Sequence, residues 1–424
     1  MRYLLIFILL SLKSVSGQTE LIKELNKSII EIKTISSDSS FDDVNDLIPA
    51  LKNVSIIGLG EATHGTHEFF VYKSRLIKFL IIEEGFKTII IEGGFTGSIL
   101  MNDYITNGKG ALSDALIGVG YGVWMTQEFV DLMEWVKKYN SNKKEEEKVR
   151  FYGCDIQHTV LAAKKVKAYL QTNNKIDSTV EDGLNWLIER KYFAKNNKGN
   201  KQKMDDFTKK LDSSFALLVK EDAEYVLIEH SKNQLKKMIE IIFAKKSTQV
   251  ALRDKFMAEN IEWIYNYENK QKVIFWSHNE HVANNKEESF QKPTGYYLKE
   301  KFNTHYYSFG FGFYNGQNRT YNSKERKWVL NQIPNVSIKN STDAIFKQCK
   351  YDNFILDFKT VENSLEINDF LNTDLFHRSI GATYYPENNK FRNYRKSKLV
   401  ESFDGIIFFK ETTPSRKITT YNNI

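Results

Sequence analysis

Cysteine is nearly missing from this sequence, and with it any disulfide or cysteine–metal scaffold. Only two, Cys154 and Cys349, occur in 424 residues. They stand far apart and no CxxC is present, so two buried free thiols are expected. A strong charge of one sign is missing as well. The formal net charge is +7, and Arg2 and Lys13 contribute two of those charges at the very start. Elsewhere basic residues are interleaved with acids, as in Lys143-Lys144-Glu145-Glu146-Glu147-Lys148. That is the pattern of a solvated surface and not of a nucleic-acid stripe. Long apolar runs are lacking beyond Leu12. The run Tyr3 to Leu12 is too short for a membrane helix, which needs about 20 residues. With Met1-Arg2 before it and the small residues Val15-Ser16-Gly17 after it, the run fits a signal peptide over residues 1–17. A periplasmic or secreted protein is expected, without stable membrane insertion after cleavage. No cysteine follows the run, so no lipid anchor is expected. Two catalytic signatures are also absent. Without Gly-x-Ser-x-Gly, an α/β-hydrolase serine is not indicated. Gly93-Gly94-Phe95-Thr96-Gly97 is neither GxGxxG nor a Walker loop with its lysine.

What is present is an alternation of strand-like runs and helical periods. At 41% hydrophobic and 27% charged, the chain has material for a sizeable core. Val54–Leu59 reads as the first strand, and Phe69, Tyr72, Leu76, Phe79 and Leu80 then share one helical face, which Gly85 ends. Lys87–Ile91, Val149–Gly153 and Val273–Trp276 read as the next strands, followed by His305–Phe311, Phe354–Phe358 and Gly405–Phe409. Their β-branched and aromatic content without polar alternation suggests strands covered on both faces. The fold class expected is α/β, a largely parallel sheet flanked by helices, with an inserted helical subdomain. Four helical periods fill the insertion: Thr159–Leu170, Val180–Tyr192, Met204–Val219, and Tyr225–Tyr267 with a break near Ser247. Residues 18–158 and 269–424 then form the α/β catalytic domain, and 159–268 a helical cleft wall or lid. Lys195–Lys201 is expected to be a mobile loop, and Asn318 to Lys327 an exposed basic loop.

Ionisable residues gather directly after the strand-like runs. Glu61 and His64 follow the first, Glu92 the second, Asp155 and Gln157 the third, and His278 and His281 the fourth. In open parallel sheets ligands bind outside the carboxyl ends of the strands, so four strand ends would deliver acids and histidines to one rim. The set suits general-base hydrolysis. An imidazole takes a proton from water when a carboxylate orients its other nitrogen, and His64 with Glu61 or Glu92 supplies that pair. The remaining histidines and Lys73 can donate to the oxyanion that forms on an attacked carbonyl. Lys73 stands two and a half turns into the following helix, where it either reaches the site or is solvated. Cys154 abuts Asp155, but nothing marks it as an activated thiolate. His278-x-x-His281 with Glu61, His64 and Glu92, and even His67, also makes a nitrogen and oxygen set for zinc or iron. The pattern is short, and the reading adopted has no metal and no cofactor. The candidate catalytic residues are His64, Glu61, Glu92, His278, His281 and Lys73. Asp155, Gln157, Trp124 and Arg378 are the candidates for holding a small-molecule substrate.

At these positions the sequence resembles the erythromycin esterase family. The likeness lies in Gly60-Glu61-Ala62-Thr63-His64-Gly65-Thr66-His67-Glu68-Phe69-Phe70, Ile91-Glu92-Gly93-Gly94-Phe95 and Phe151-Tyr152-Gly153-Cys154-Asp155-Ile156-Gln157. It continues in Arg253-Asp254, Met257-Ala258-Glu259-Asn260 and Trp276-Ser277-His278-Asn279-Glu280-His281. Arg378-Ser379-Ile380-Gly381 and Phe403-Asp404-Gly405-Ile406-Ile407 complete it, so that it spans roughly residues 45–412. The resemblance implies a hydrolase that opens macrolide lactone rings without a metal, with water activated by the residue matching His64. Where this chain has Lys73, some members carry Arg, which has a planar fork that lysine lacks. Two other readings stay open: an envelope hydrolase of a carbohydrate or lipid ester, and an iron- or haem-binding envelope protein.

Overall fold

Short apolar runs bounded by polar turns become strands whose residues are almost all enclosed, as expected where both faces of a sheet are covered. The computed structural model describes residues 18–193, 200–219, 223–285, 291–322, 325–336, 338–384 and 392–418. The expected signal peptide and most of the expected loop at Lys195–Lys201 lie outside the described residues. Along the chain the strands are β1 (Ile30–Glu31), β2 (Ile56–Leu59), β3 (Thr88–Gly94), β4 (Arg150–Asp155), β5 (Val273–Trp276), β6 (Tyr306–Asn322), β7 (Lys327–Ile333), β8 (Asn353–Asp357), β9 (Leu375–Arg378), β10 (Tyr394–Ser397) and β11 (Gly405–Thr412). The protein is α/β with a largely parallel sheet flanked by helices. The described residues divide into two compact units, the first made of residues 18–86, Thr126–Leu132 and 272–418, the second of Lys87–Met125 and Met133–Gln271.

In the first unit β2 is central. It pairs in parallel with β5 on one side and β6 on the other, Ile56 facing Val273 and Tyr306. β11 extends the parallel ladder beyond β6. β8 then pairs antiparallel with β11, and β1 with β8. β9 and β10 form a separate antiparallel pair. The expected loop at Asn318 to Lys327 is corrected by the structure. β6 runs on to Asn322 and pairs antiparallel with β7, Arg319 opposite Leu330. Polar residues are tolerated there because Asn318 and Thr320 are enclosed and bonded to Asn331, at 2.9 and 2.8 Å.

Helix α1 (His67–Ile82) follows β2. Its sequence predicts one apolar face, but the structure buries it nearly all round, including Lys73, Arg75 and Lys78. Each of these cations meets an acid: Glu61, Asp43 and Asp38 respectively. A buried charge requires this, since an unpaired one costs several kcal/mol.

In the second unit β3 and β4 are parallel neighbours, Ile89 opposite Phe151. Helices α2 (Phe95–Asn107) and α3 (Leu112–Val119) follow β3. After β4 come α4 (Thr159–Thr172), α5 (Ser178–Ile188), α6 (Lys201–Ala216), α7 (Ala223–Phe243) and α8 (Gln249–Tyr267). A short turn at Lys246–Thr248 makes the break expected near Ser247. Helices α4 to α7 share a core of their own that includes Val166, Leu184, Phe207, Leu211 and Leu235. The unit is wider than the 159–268 insertion, because β3, β4, α2 and α3 belong to it.

Candidate active site

The segment Gly60 to Thr66 leaves β2 and is pinned on several sides, which fixes where His64 stands. Thr63 bridges to Ile380, the Ile380 N–H donates to the Ala62 carbonyl at 2.6 Å, and Asn318 donates to the Thr63 hydroxyl at 2.6 Å. Gly65 has φ +73°, and a Cβ there would lie 2.0 Å from the Arg319 carbonyl oxygen. Only glycine suits that position, on conformation and on space alike. The Gly65 carbonyl accepts from the N–H groups of Arg319 and Ser415.

His64 Nδ1 lies 2.5 Å from Glu61 Oε1. The other carboxylate oxygen, Oε2, accepts from Lys73 Nζ at 2.6 Å and from the Trp276 indole N–H at 3.0 Å. Lys73 is fully enclosed, with its ammonium 4.6 Å from the Trp276 ring and 5.1 Å from that of Phe311. It is therefore neither solvated nor set to reach past Glu61. Burial disfavours the Glu61 anion, but Lys73 first and then His64 outweigh it and hold the carboxyl down at about 2. An ionised Glu61 accepts the Nδ1 proton, which leaves the lone pair of His64 on Nε2. The His64 side chain is 11% exposed and that of Glu61 2%, so the imidazole can meet water while its carboxylate stays dry.

β5 brings the second histidine. The His278 ring lies 5.2 Å from that of His64, tilted by 52°. Its Nδ1 accepts from the Glu280 N–H at 3.2 Å, so its Nε2 donates to the Ile380 carbonyl at 3.2 Å. His278 thus caps the helix α9 (Asn279–Val282). His281 sits on α9, partly exposed. Glu280 receives Arg395 at 2.7 Å and the Ser379 hydroxyl at 2.7 Å. Burial raises its carboxyl, but His278 and Arg395 outweigh that and hold it below its ordinary value. His67 takes no part in this group; its Nδ1 lies 2.6 Å from Glu128. Arg378, expected to hold substrate, is enclosed instead. Its guanidinium donates to the Pro334 carbonyl at 3.0 Å and lies 4.9 Å from the Phe313 ring centroid, so it serves packing.

The second unit gathers the other candidates. Arg253 on α8 donates to Glu92 Oε1 and Asp155 Oδ2, each at 2.7 Å. Burial raises the Asp155 carboxyl, yet Arg253 holds it below the usual carboxylate range. The Tyr121 hydroxyl lies 2.5 Å from Asp155 Oδ2 and 2.6 Å from Gln157 Oε1. Burial and Asp155 push that phenol up, so it stays a donor. Trp124 is enclosed, and its indole N–H goes to the Glu92 carbonyl at 2.9 Å. Gln157 alone of these is exposed. Trp276, which bonds Glu61, and Arg253, which bonds Glu92 and Asp155, join these groups although strand-end reasoning passed over them. Trp276 could have been found as the last residue of β5, whereas Arg253 comes from a helix distant in sequence and was marked only by the family likeness. Among the described residues no group of three or more His, Cys, Asp or Glu side chains is placed to hold a metal ion. Both cysteines are buried and unbridged, and no helix of the described residues is long and apolar enough to cross a membrane.

A family model described as "Erythromycin esterase" matches residues 81–412. "Putative hydrolase YbfO" of Bacillus subtilis (strain 168) is 25% identical over 419 residues, which cover 90% of this chain and 89% of that protein. "Erythromycin esterase type II" of Escherichia coli is 24% identical over 426 residues, covering 92% and 97%. The crystal structure of a Bacillus cereus protein superposes with a TM-score of 0.82 at 26% identity, over 95% of this chain and 99% of that one.

Proposed function

The chain belongs to the erythromycin esterase family, and from that premise we propose that it is a carboxylic ester hydrolase in which His64 activates water, with macrolide lactones the first substrates to test. The observation that carries this reading is the Glu61–His64 pair, whose carboxylate is charged, dry and fixed at both oxygens. Water attacks the carbonyl carbon as its proton passes to His64 Nε2. Glu61 stabilises the imidazolium that results, as an oriented carboxylate does in other histidine-based hydrolases. When the tetrahedral species collapses, the carbon–oxygen bond to the alcohol breaks and the imidazolium returns its proton to the leaving oxygen. A lactone opens to a hydroxy acid; an open ester gives acid and alcohol. Lys73 acts through Glu61. His281, partly exposed on α9, is the donor assigned here to the oxyanion.

The test is mass spectrometry of a macrolide panel incubated with the protein. A gain of one water is expected, and it should vanish in His64→Asn. Full turnover by that variant defeats the mechanism. Repeating the assay with chelator shows whether a metal takes part. From the composition of residues 1–17 we further propose that the protein is periplasmic or secreted. Peptide mapping of the mature protein should then find Gln18 at or near its start, and an intact Met1 on secreted material would contradict cleavage.

A further inference from the structure

Beside His278 the first unit holds a cavity of about 390 Å³, within the size range of small-molecule pockets. Two of its wall residues, Glu280 and Ser379, belong to the group that holds His278 in place. The Glu280 N–H bonds that ring, and Ser379 precedes Ile380, which accepts from it. A ligand seated here therefore lies against the support of the ring neighbouring His64.

The charges of the wall cancel. Arg395, Lys396 and Lys398 face Glu280, Asp374 and Glu401, and two pairs are closed, Arg395–Glu280 at 2.7 Å and Lys398–Glu401 at 3.0 Å. His377 adds no charge at neutral pH, since burial pushes its imidazole down to about 4. An anion entering would compete with the carboxylates for their partners, and a cation with the lysines and arginine. A hydroxyl both donates and accepts, whereas carboxylates only accept and ammonium or guanidinium groups only donate. Neighbouring hydroxyls can thus bridge a closed acid–base pair without breaking it. Phe376, Tyr394 and Phe403 supply apolar wall for the carbon–hydrogen face of a ring.

We infer that this cavity is a subsite for a neutral, polyhydroxylated ring, so that the ester acted on is carried by a saccharide. The inference rests on the hydrolase reading above, and it fits two sources, an O-acylated sugar and a glycosylated lactone.

Binding and turnover are measured separately on the full chain. Saturation-transfer NMR with methyl glucoside and maltose should show contact, weaker by at least three-fold for glucuronic acid and glucosamine. Phe376→Ala should reduce that contact at least five-fold, and Lys396→Ala, at an exposed position, should weaken it two-fold or more. In turnover, the preference for 6-O-acetylglucose over p-nitrophenyl acetate, or for a glycosylated macrolide over its aglycone, should fall at least five-fold in Phe376→Ala. A preference for the first pair points to the acylated sugar, and for the second to the lactone. No saccharide contact, charged sugars binding as well as neutral ones, or preferences untouched by both variants would overturn the subsite. Saccharide contact without hydrolysis of any ester sinks the hydrolase reading and leaves the subsite standing.

Discussion

Glu61 has two oxygens and three partners, and each partner controls a different property of His64. The Nδ1 bond sets the ring's tautomer, Lys73 keeps the carboxylate charged, and Trp276 fixes its plane. Glu61→Gln keeps the shape but loses the charge that the imidazolium needs, so kcat should fall about 100-fold or more, read with any ester the wild type accepts. The folded carboxyl sits at about 2, below its ordinary 4.5. Its contribution to stability is therefore complete above about 4.5 and lost as pH falls toward 2. An acid limb of kcat above pH 4 cannot then belong to Glu61. Lys73→Met strands a buried anion and should cost about 3–5 kcal/mol in urea unfolding, as broken buried pairs do. Adding Glu61→Gln to it should restore part of that loss; a double variant as unstable as the sum of its parts would contradict the pairing.

Elements were legible where one physical effect dominated. β2, β3, β4, β5, β8 and β11 announced themselves because a strand covered on both faces must be an unbroken apolar run. β7, β9 and β10 did not: β7 is mostly exposed, and β9 (Leu375-Phe376-His377-Arg378) and β10 (Tyr394-Arg395-Lys396-Ser397) are only partly buried and carry charged or polar residues, so none of the three is such a run. The polar half of β6 was hidden because Asn318 is buried by hydrogen bonds and not by apolarity. The site followed the same division. Strand ends pointed to Glu61, His64 and His278, while Arg253 arrives from a helix and Arg378 lies buried against Phe313. Two glycines separate conformation from space. Gly85 has φ +70° with nothing within 4 Å of the place a Cβ would take, whereas Gly65 has φ +73° and a carbonyl 2.0 Å away. Gly85→Ala should cost only the left-handed penalty of about 1–2 kcal/mol. Gly65→Ala should cost more in thermal unfolding and also lower kcat, because the segment carrying His64 must shift. Equal effects at the two positions would show that the contact with Arg319 is unimportant.

For the whole molecule, composition and periodicity gave the class and the helical block, but not its limits. Contacts of β3 and β4 with the helices that follow them decide those limits, and such contacts leave no mark on a local pattern. The block's own core makes a test of cooperativity. Leu184 is fully enclosed in it, and Leu184→Ala should destabilise by about 2–5 kcal/mol. Hydrogen exchange measured by mass spectrometry should speed up first across Thr159–Phe243. Uniform acceleration through β2, β5 and β6 to the same degree would mean that the two units open as one.

The Cys154 thiol lies fully enclosed on β4, pushed well above its ordinary value by burial and by Asp155, with its hydrogen directed at the Ile91 carbonyl. The folded chain is therefore silent there to thiol-reactive dyes, and labelling at that position becomes a clock. Each dye attached to Cys154 records one opening of the strand that carries Asp155, so unfolding of this molecule can be timed without any engineered reporter.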